Sequence, residues 1–283
     1  YNDPVSAVPV LKLTSTTVPN SGNHSTPYST GGPHCSLPWT GTDGNTYYTF
    51  GCGFEGAGWF VDIRYDTLTA SNWRSMPGSA GEVNFTFSCN PATPRICYLK
   101  TGDKTFRRYD TGTNAFADTG GWPWVISASG SNALWFQGQK DDNWFACMLG
   151  SNSTLVAYRP STGTQINCTV ARAGVNSPDE LHLDLSLPVV YWVCENNKSG
   201  LPWQLDTDTV QNYAAWSNQC TSGGGQMNDD HSTPIRGGLM GWAEEGSPYG
   251  GSYYYNRLAG TKVRYIQGDA GFHGGNADFY NSG

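Results

Sequence analysis

Histidines are scarce in this chain, and their rarity and spacing make them the first candidates for chemistry. Only five occur among 283 residues, namely His24, His34, His182, His231 and His273. Imidazole binds divalent metals and transfers protons near neutral pH, so a cluster of histidines would suit either task. The question is therefore whether the fold brings several of them together.

A repeated turn sets the frame in which these histidines must be placed. Five times an aromatic or aliphatic residue leads into a polar turn that ends in threonine, beginning at Tyr65, Tyr109, Tyr158, Leu205 and Tyr255. The intervals are 44, 49, 47 and 50 residues, and the runs between the turns are rich in β-prone residues. A period in the forties with strands inside it is typical of β-propeller blades.

We therefore predict an all-β fold, a β-propeller with five antiparallel blades, to which the chain ends add part of a sixth. No segment shows a helical hydrophobic period. Residues 34–283 are predicted to form a single propeller domain. Residues 1–33 are rich in Ser, Thr, Pro, Gly and Asn, and we expect an irregular segment there whose one strand closes the ring or binds a partner.

Counting back from the repeated turns places two histidines at matching positions. His182 lies 23 residues before its turn, His231 lies 24 residues before the next one, and His273 follows His231 by 42 residues. We interpret these positions as entries to the innermost strands of successive blades, facing the mouth of the central channel. There the three imidazoles, with Gln226 as an oxygen ligand, would hold a divalent cation. The alternative is that each histidine bonds the next blade and only stabilises the ring.

The stretches around His231 and His273 also resemble a known family. Residues 231–246 and the run HGGNAD at 273–278 are similar to TolB-like propellers, and most similar to the oligogalacturonate-lyase type. The resemblance covers residues 175–280 and rests on short motifs. It implies β-elimination on uronic-acid sugars and a His-rich site of the manganese type; manganese or calcium is the cation we expect.

On this hypothesis the reaction is divided among three side chains. A lyase must neutralise the uronate carboxylate and then remove the proton at C5. We expect Arg236 or the cation to perform the first task. We expect His231 and His182 to perform the second.

The composition indicates an extracellular protein. The eight cysteines form no CxxC pair, so we predict four disulfides, mostly between neighbours in sequence such as Cys89 and Cys97. N-glycans on surface loops are expected at five N-x-[ST] sequons, which lie at Asn23, Asn84, Asn152, Asn167 and Asn197.

Charge and hydropathy narrow the range of partners. The net charge is −7 and no cluster of Lys and Arg occurs, which disfavours a nucleic-acid partner. No apolar run approaches the ~18 residues that a membrane span requires. The expected partners are a polysaccharide or other glycan, and further copies of the chain joined through terminal strands.

Three other functions are compatible with the same sequence. Eleven Trp and 16 Tyr offer surfaces for stacking on sugars in a propeller that binds glycans without catalysis. Dense cysteines, sequons and loose ends also suit a structural subunit of an extracellular fibril or coat, in which a terminal strand completes a neighbour's sheet. A glycoside hydrolase is the third, although we find no three carboxylates at matching blade entries.

Overall fold

The structure is a computed structural model. It describes residues 11, 13, 18, 35–54, 57–78, 85–139, 141–150, 154–169, 178–184, 187–194, 202–211, 232–235, 238–243, 251–256 and 259–267. The predicted strand near the N-terminus therefore lies almost entirely outside the described residues.

Every regular element in the described part of the chain is a β-strand, and the strands form five antiparallel sheets in chain order. Sheet 1 contains β1 (Trp39–Thr40), β2 (Thr46–Phe54), β3 (Ala57–Arg64) and β4 (Thr69–Met76). Sheet 2 contains β5 (Phe85–Phe87), β6 (Ile96–Gly102), β7 (Thr105–Asp110) and β8 (Ala115–Phe116), with β9 (Trp124–Val125) also paired to β7. No helix capable of crossing a membrane occurs among these residues.

The remaining three sheets each have four strands joined to their sequence neighbours. Sheet 3 contains β10 (Ala133–Gly138), β11 (Phe145–Leu149), β12 (Thr154–Arg159) and β13 (Thr164–Thr169). Sheet 4 contains β14 (Pro178–Leu183), β15 (Val189–Cys194), β16 (Trp203–Gln204) and β17 (Thr209–Val210). Sheet 5 contains β18 (Ser232–Ile235), β19 (Gly238–Ala243), β20 (Gly251–Asn256) and β21 (Thr261–Gln267).

The repeated turns join the third strand of each sheet to the fourth. In all five sheets four residues separate the last paired residue of one strand from the first of the next. The fourth turn residue always has a positive φ, between 50° and 65°, and is Leu68, Asn114, Gly163, Asp208 or Gly260. This shared geometry explains why the sequence repeats most clearly there, since Asn, Asp and Gly tolerate the left-handed conformation.

Sheets 1 to 4 pack face to face in sequence order, and each of the three junctions between them has its own apolar cluster. Phe60 of sheet 1 packs with Phe87 and Leu99 of sheet 2. The junction between sheets 2 and 3 is built by the aromatic residues Tyr98, Phe106, Trp122, Trp124, Phe136, Phe145 and Tyr158. Met148 and Leu155 of sheet 3 pack with Leu181 and Trp203 of sheet 4. Alternating side chains on each strand therefore serve two different junctions.

The first strands of sheets 2 to 5 are neighbours, because β5 contacts β10, β10 contacts β14 and β14 contacts β18. We call the side of the molecule where they meet the inner edge. Antiparallel four-stranded sheets packed face to face, with their first strands together, are the arrangement of a β-propeller. This confirms the predicted fold class; the number of blades and the closure of the ring stay predictions.

The predicted pattern of four disulfides is not found. The described part of the chain contains no disulfide bond, and Cys52, Cys97 and Cys147 carry buried free thiols. The strand register sets Cys97 opposite Phe87 rather than opposite Cys89. Cys97, Cys147 and Cys168 also belong to three successive junctions, so a whole sheet separates each from the next. Burial raises the pKa of the Cys52 thiol to about 11.

Candidate functional site on the inner edge

His182 is the one sequence-predicted site residue within the described part of the chain. It is the fifth of six residues in β14, rather than at the entry of that strand as predicted, and is 1% exposed. Leu181 and Leu183 on either side of it pack into the junction with sheet 3. Because side chains alternate along a strand, His182 lies on the opposite face of sheet 4, the face turned away from sheet 3.

A tyrosine and an aspartate accompany His182 in sheet 4. Tyr191 is the cross-strand partner of His182 and is fully buried. Its hydroxyl donates a hydrogen bond to Asp184 Oδ2 at 3.2 Å, and the amide of Leu187 donates to Asp184 Oδ1 at 3.0 Å. The buried Asp184 carboxylate is thereby fixed by its own hairpin, next to the strand that carries the histidine.

The ladder of strand pairs shows which residues of other sheets match His182. His182 of β14 pairs with Tyr191 of β15. The residue before Tyr191, Val190, pairs with Trp203 of β16, which is one residue before the last residue of that strand ahead of the repeated turn. The same steps in sheets 2, 3 and 5 lead to the residues Thr86, Gln137 and Thr233. All four residues are polar, and Thr86, Gln137 and His182 are buried. The first strands thus share one polar position on the inner edge.

Gln137 shows what this position does between sheets 3 and 4. Its side-chain amide donates to the carbonyl of Leu181, and its Oε1 accepts from the amide of Leu183 at 2.7 Å. The glutamine therefore replaces a missing backbone partner on both sides of His182. Gln139 extends the contact by donating to the carbonyls of Asp184, at 3.2 Å, and Leu187.

Charged groups tie sheets 2 and 3 together instead. The buried Lys100 ammonium donates to the carbonyl of Ala133 at 2.8 Å and to Asn132 Oδ1. Desolvation lowers the pKa of Lys100. At the other end of the junction, Asp142 Oδ2 accepts hydrogen bonds from Ser88 Oγ at 2.6 Å and Tyr98 Oη at 2.8 Å. Desolvation raises the pKa of Asp142, and the hydrogen bonds from Ser88 and Tyr98 only partly offset it.

The other predicted site residues, His231, Arg236, His273 and Gln226, lie outside the described residues. The ladder does correct the matching of two histidines: Thr233, two residues after His231, is the residue equivalent to His182. Of the five sequons, only the one at Asn167 is described, and Asn167 is exposed on the outer strand β13. Within the described ranges, no three His, Cys, Asp or Glu side chains are grouped as metal ligands.

Trp135 is an unusual residue that the sequence did not single out. It lies in a β-bulge of β10, where Trp135 and Phe136 together face the single residue between Met148 and Ala146 of β11. Its φ is 58°, a left-handed conformation that costs a bulky residue roughly 1–2 kcal/mol. Its side chain is half-buried against the junction of sheets 3 and 4. A bulge of this kind leaves no signature in composition or alternation, so no sequence signal marked it.

Comparisons with known proteins show no family for this chain. No family model and no curated protein matches the chain. Among solved structures, hydrazine synthase of Kuenenia stuttgartiensis is 10% identical with a TM-score of 0.45, over 65% of this chain and 49% of that one. The β-propeller domain of Cps50 (Swd1) from Myceliophteria thermophila is 10% identical with a TM-score of 0.48, over 70% and 62%.

A chain of the mitotic checkpoint complex is also 10% identical, with a TM-score of 0.46, over 83% of this chain and 64% of that one. The chain thus spans about half the length of the hydrazine synthase chain, and less than two thirds of the other two. The fold assignment rests on the described sheets themselves, and nothing about activity is carried over from these three proteins.

Proposed function

We propose that the protein is an extracellular, carbohydrate-active propeller of the TolB-like type that cleaves an acidic polysaccharide or oligouronide by β-elimination. The site is placed on the inner edge where sheets 4 and 5 meet. One observation carries this proposal. At the shared polar position, sheets 2 and 3 have a hydroxyl and a neutral amide, whereas sheet 4 has the imidazole of His182.

The strand that faces this junction is flanked by the other two candidate side chains. β14 contacts β18, and β18 covers residues 232–235. In the sequence, His231 comes directly before that strand and Arg236 directly after it. The contact between β14 and β18 supports the proposal that these three residues act at one junction.

The proposed reaction uses these residues in a balanced sequence of bond changes. Arg236 pairs with the uronate carboxylate, which makes the C5 proton more acidic. His231 or His182 takes that proton, the C5–H electron pair forms the C4=C5 double bond, and the C4–O bond breaks with its electrons on the leaving oxygen. A proton then returns to that oxygen. A divalent cation held by His273, Gln226 and whichever of His182 and His231 does not take the proton would supply additional polarisation of the carboxylate, and imidazole with amide oxygen suits manganese better than calcium.

The exposed sequon at Asn167 supports the extracellular location, since an N-glycan on this outer strand would project into solvent. The absence of disulfides among the described residues removes the cysteine count as an argument for that location.

The test is a His182→Gln variant, because the structure already tolerates glutamine at the equivalent position of sheet 3. The variant and the unchanged protein are incubated with polygalacturonate, and the unsaturated product is followed by its ultraviolet absorbance. We expect a loss of at least 100-fold in the rate with an unchanged circular-dichroism spectrum. Thr86→Val, at the same position in sheet 2, is the matched control and should retain full activity.

Bound metal is measured separately by elemental analysis of the protein after dialysis against manganese and calcium. A second function is distinguished by the same assay. If the unchanged protein binds polygalacturonate but forms no unsaturated product, it is a glycan-binding propeller without catalysis. The 11 Trp and 16 Tyr of the chain are the observation that favours this alternative.

A further inference from the structure

Trp135 occupies a backbone conformation that its side chain does not favour. Its φ of 58° lies in the left-handed region, which glycine adopts freely and a tryptophan rarely does. In a bulge of this type the first residue is usually glycine. The first strand of sheet 3 therefore has a strained backbone conformation at a residue with the largest of all side chains.

The bulge changes the direction in which neighbouring side chains point. Ala133 and Phe136 both pack into the junction between sheets 2 and 3, although they are three residues apart and strict alternation would separate them. Because of the extra residue, the side chain of Gln137 points into the junction with sheet 4, where it contacts Leu181. Trp135 is the extra residue at the edge of that same junction, where it packs against the apolar cluster and stays partly exposed.

Burial does not account for this arrangement, because Trp135 is only half-buried, unlike Trp124 and Trp203, which are fully buried in the cores of two junctions. Strained residues and bulges occur preferentially beside binding sites, where they direct a side chain toward a ligand. Trp135 also lies two residues before Gln137, which bonds the backbone on both sides of His182. Trp135 therefore lies on the inner edge at the junction of sheets 3 and 4, one sheet away from the junction of sheets 4 and 5 where the reaction site is proposed.

We propose that Trp135 is a stacking platform for one pyranose ring of a bound oligosaccharide. The flat indole face matches the C–H face of a sugar ring, and this contact requires no charge on the ligand. The platform rests on the proposed function in that it supplies a neighbouring subsite for the same glycan. It differs from that function because a platform contributes to binding and takes no part in proton transfer.

The experiment compares Trp135→Phe with Trp135→Leu. Both variants keep an apolar side chain against the junction, but only phenylalanine keeps a flat ring. Dissociation constants are measured by calorimetry for trigalacturonate and for neutral cellotriose. We expect binding of both sugars to weaken about tenfold in Trp135→Leu and less than threefold in Trp135→Phe, with the melting temperatures of the two variants alike.

Equal affinity in Trp135→Leu and the unchanged protein would overturn the platform, as would failure of the unchanged protein to bind either trisaccharide. The lyase proposal is judged separately, by unsaturated product from polygalacturonate. Weaker binding by Trp135→Leu without any product supports the platform and refutes the lyase. Formation of unsaturated product together with unchanged binding by Trp135→Leu supports the lyase and refutes the platform.

Discussion

The junction between sheets 3 and 4 and the junction between sheets 2 and 3 solve the same problem with different chemistry. In both, the first strands of neighbouring sheets lie side by side without a backbone ladder between them. The first junction uses the neutral amides of Gln137 and Gln139 to satisfy backbone groups of sheet 4. The second uses the ionisable side chains of Lys100 and Asp142.

The difference predicts where the molecule senses pH. An amide has the same hydrogen-bonding groups across the whole physiological range, so the glutamine bridges between sheets 3 and 4 should be equally strong at acidic and neutral pH. The junction of sheets 2 and 3 includes two groups whose pKa values burial has moved toward neutrality. We therefore expect acid and base to act first on that junction.

The largest effect on stability is expected from Gln137→Leu. The change keeps the volume but leaves the carbonyl of Leu181 and the amide of Leu183 without their partners, at about 1–3 kcal/mol for each group. Urea denaturation should show a free energy of unfolding lower by about 2–6 kcal/mol. The loss should be the same at pH 5 and pH 8. A loss that varies with pH would contradict the neutral character of this junction.

A smaller, pH-dependent effect is expected from Asp142→Asn. Asparagine tolerates the positive φ of 53° at this position and still accepts hydrogen bonds from Ser88 and Tyr98. Because the pKa of Asp142 is raised in the folded protein, the unchanged chain loses stability as the pH rises above the ordinary value of 3.8. The variant carries no such group and should lose none of this stability.

Unfolding curves of both proteins from pH 3.5 to 7 measure this prediction. The free-energy difference should shift in favour of Asp142→Asn as the pH rises. Arg108, which favours the carboxylate form of Asp142, is the charged neighbour that limits the shift. A free-energy difference that stays constant with pH would mean that burial does not raise the pKa of Asp142.

The smallest effect concerns the junction of sheets 4 and 5. The residue equivalent to His182 there is Thr233, which precedes Pro234, and proline offers no N–H to a bridging side chain. The pair His182→Gln and Pro234→Ala should recreate the bridge of Gln137. A double-mutant cycle should give a favourable coupling of about 1 kcal/mol. Zero coupling would show that this junction is built on a different plan.

The fold was predictable from the sequence because its strongest signal is local. The repeated turns depend on residues that bond their own backbone, as when Asp110 Oδ1 accepts from the amide of Gly112 at 2.7 Å. The fourth strand of sheet 3, β13, has a weak sequence signal because only Cys168 is buried among its six residues. A strand with one solvated face and one buried residue shows no alternation to detect.

The site was predictable only in part, since its geometry depends on offsets that composition does not record. His182 was found because histidine is rare, but its match in sheet 5 was placed two residues too early. The cause is that Leu205 lies in its turn whereas Tyr255 is still in β20. The bulge at Trp135 shifts the register of β10 against β11 by one further residue. This shift is visible in the strand pairing and not in the spacing of residues along the sequence.

The buried cysteines give the molecule a set of natural reporters. Cys97 and Cys147 belong to two successive junctions, and burial raises the pKa of both thiols, so neither reacts while its junction is closed. An alkylating reagent added to the folded protein will therefore modify each thiol only when the sheets beside it separate. Mass spectrometry of the two peptides over time would give the opening rate of each junction, and hence the order in which the propeller comes apart.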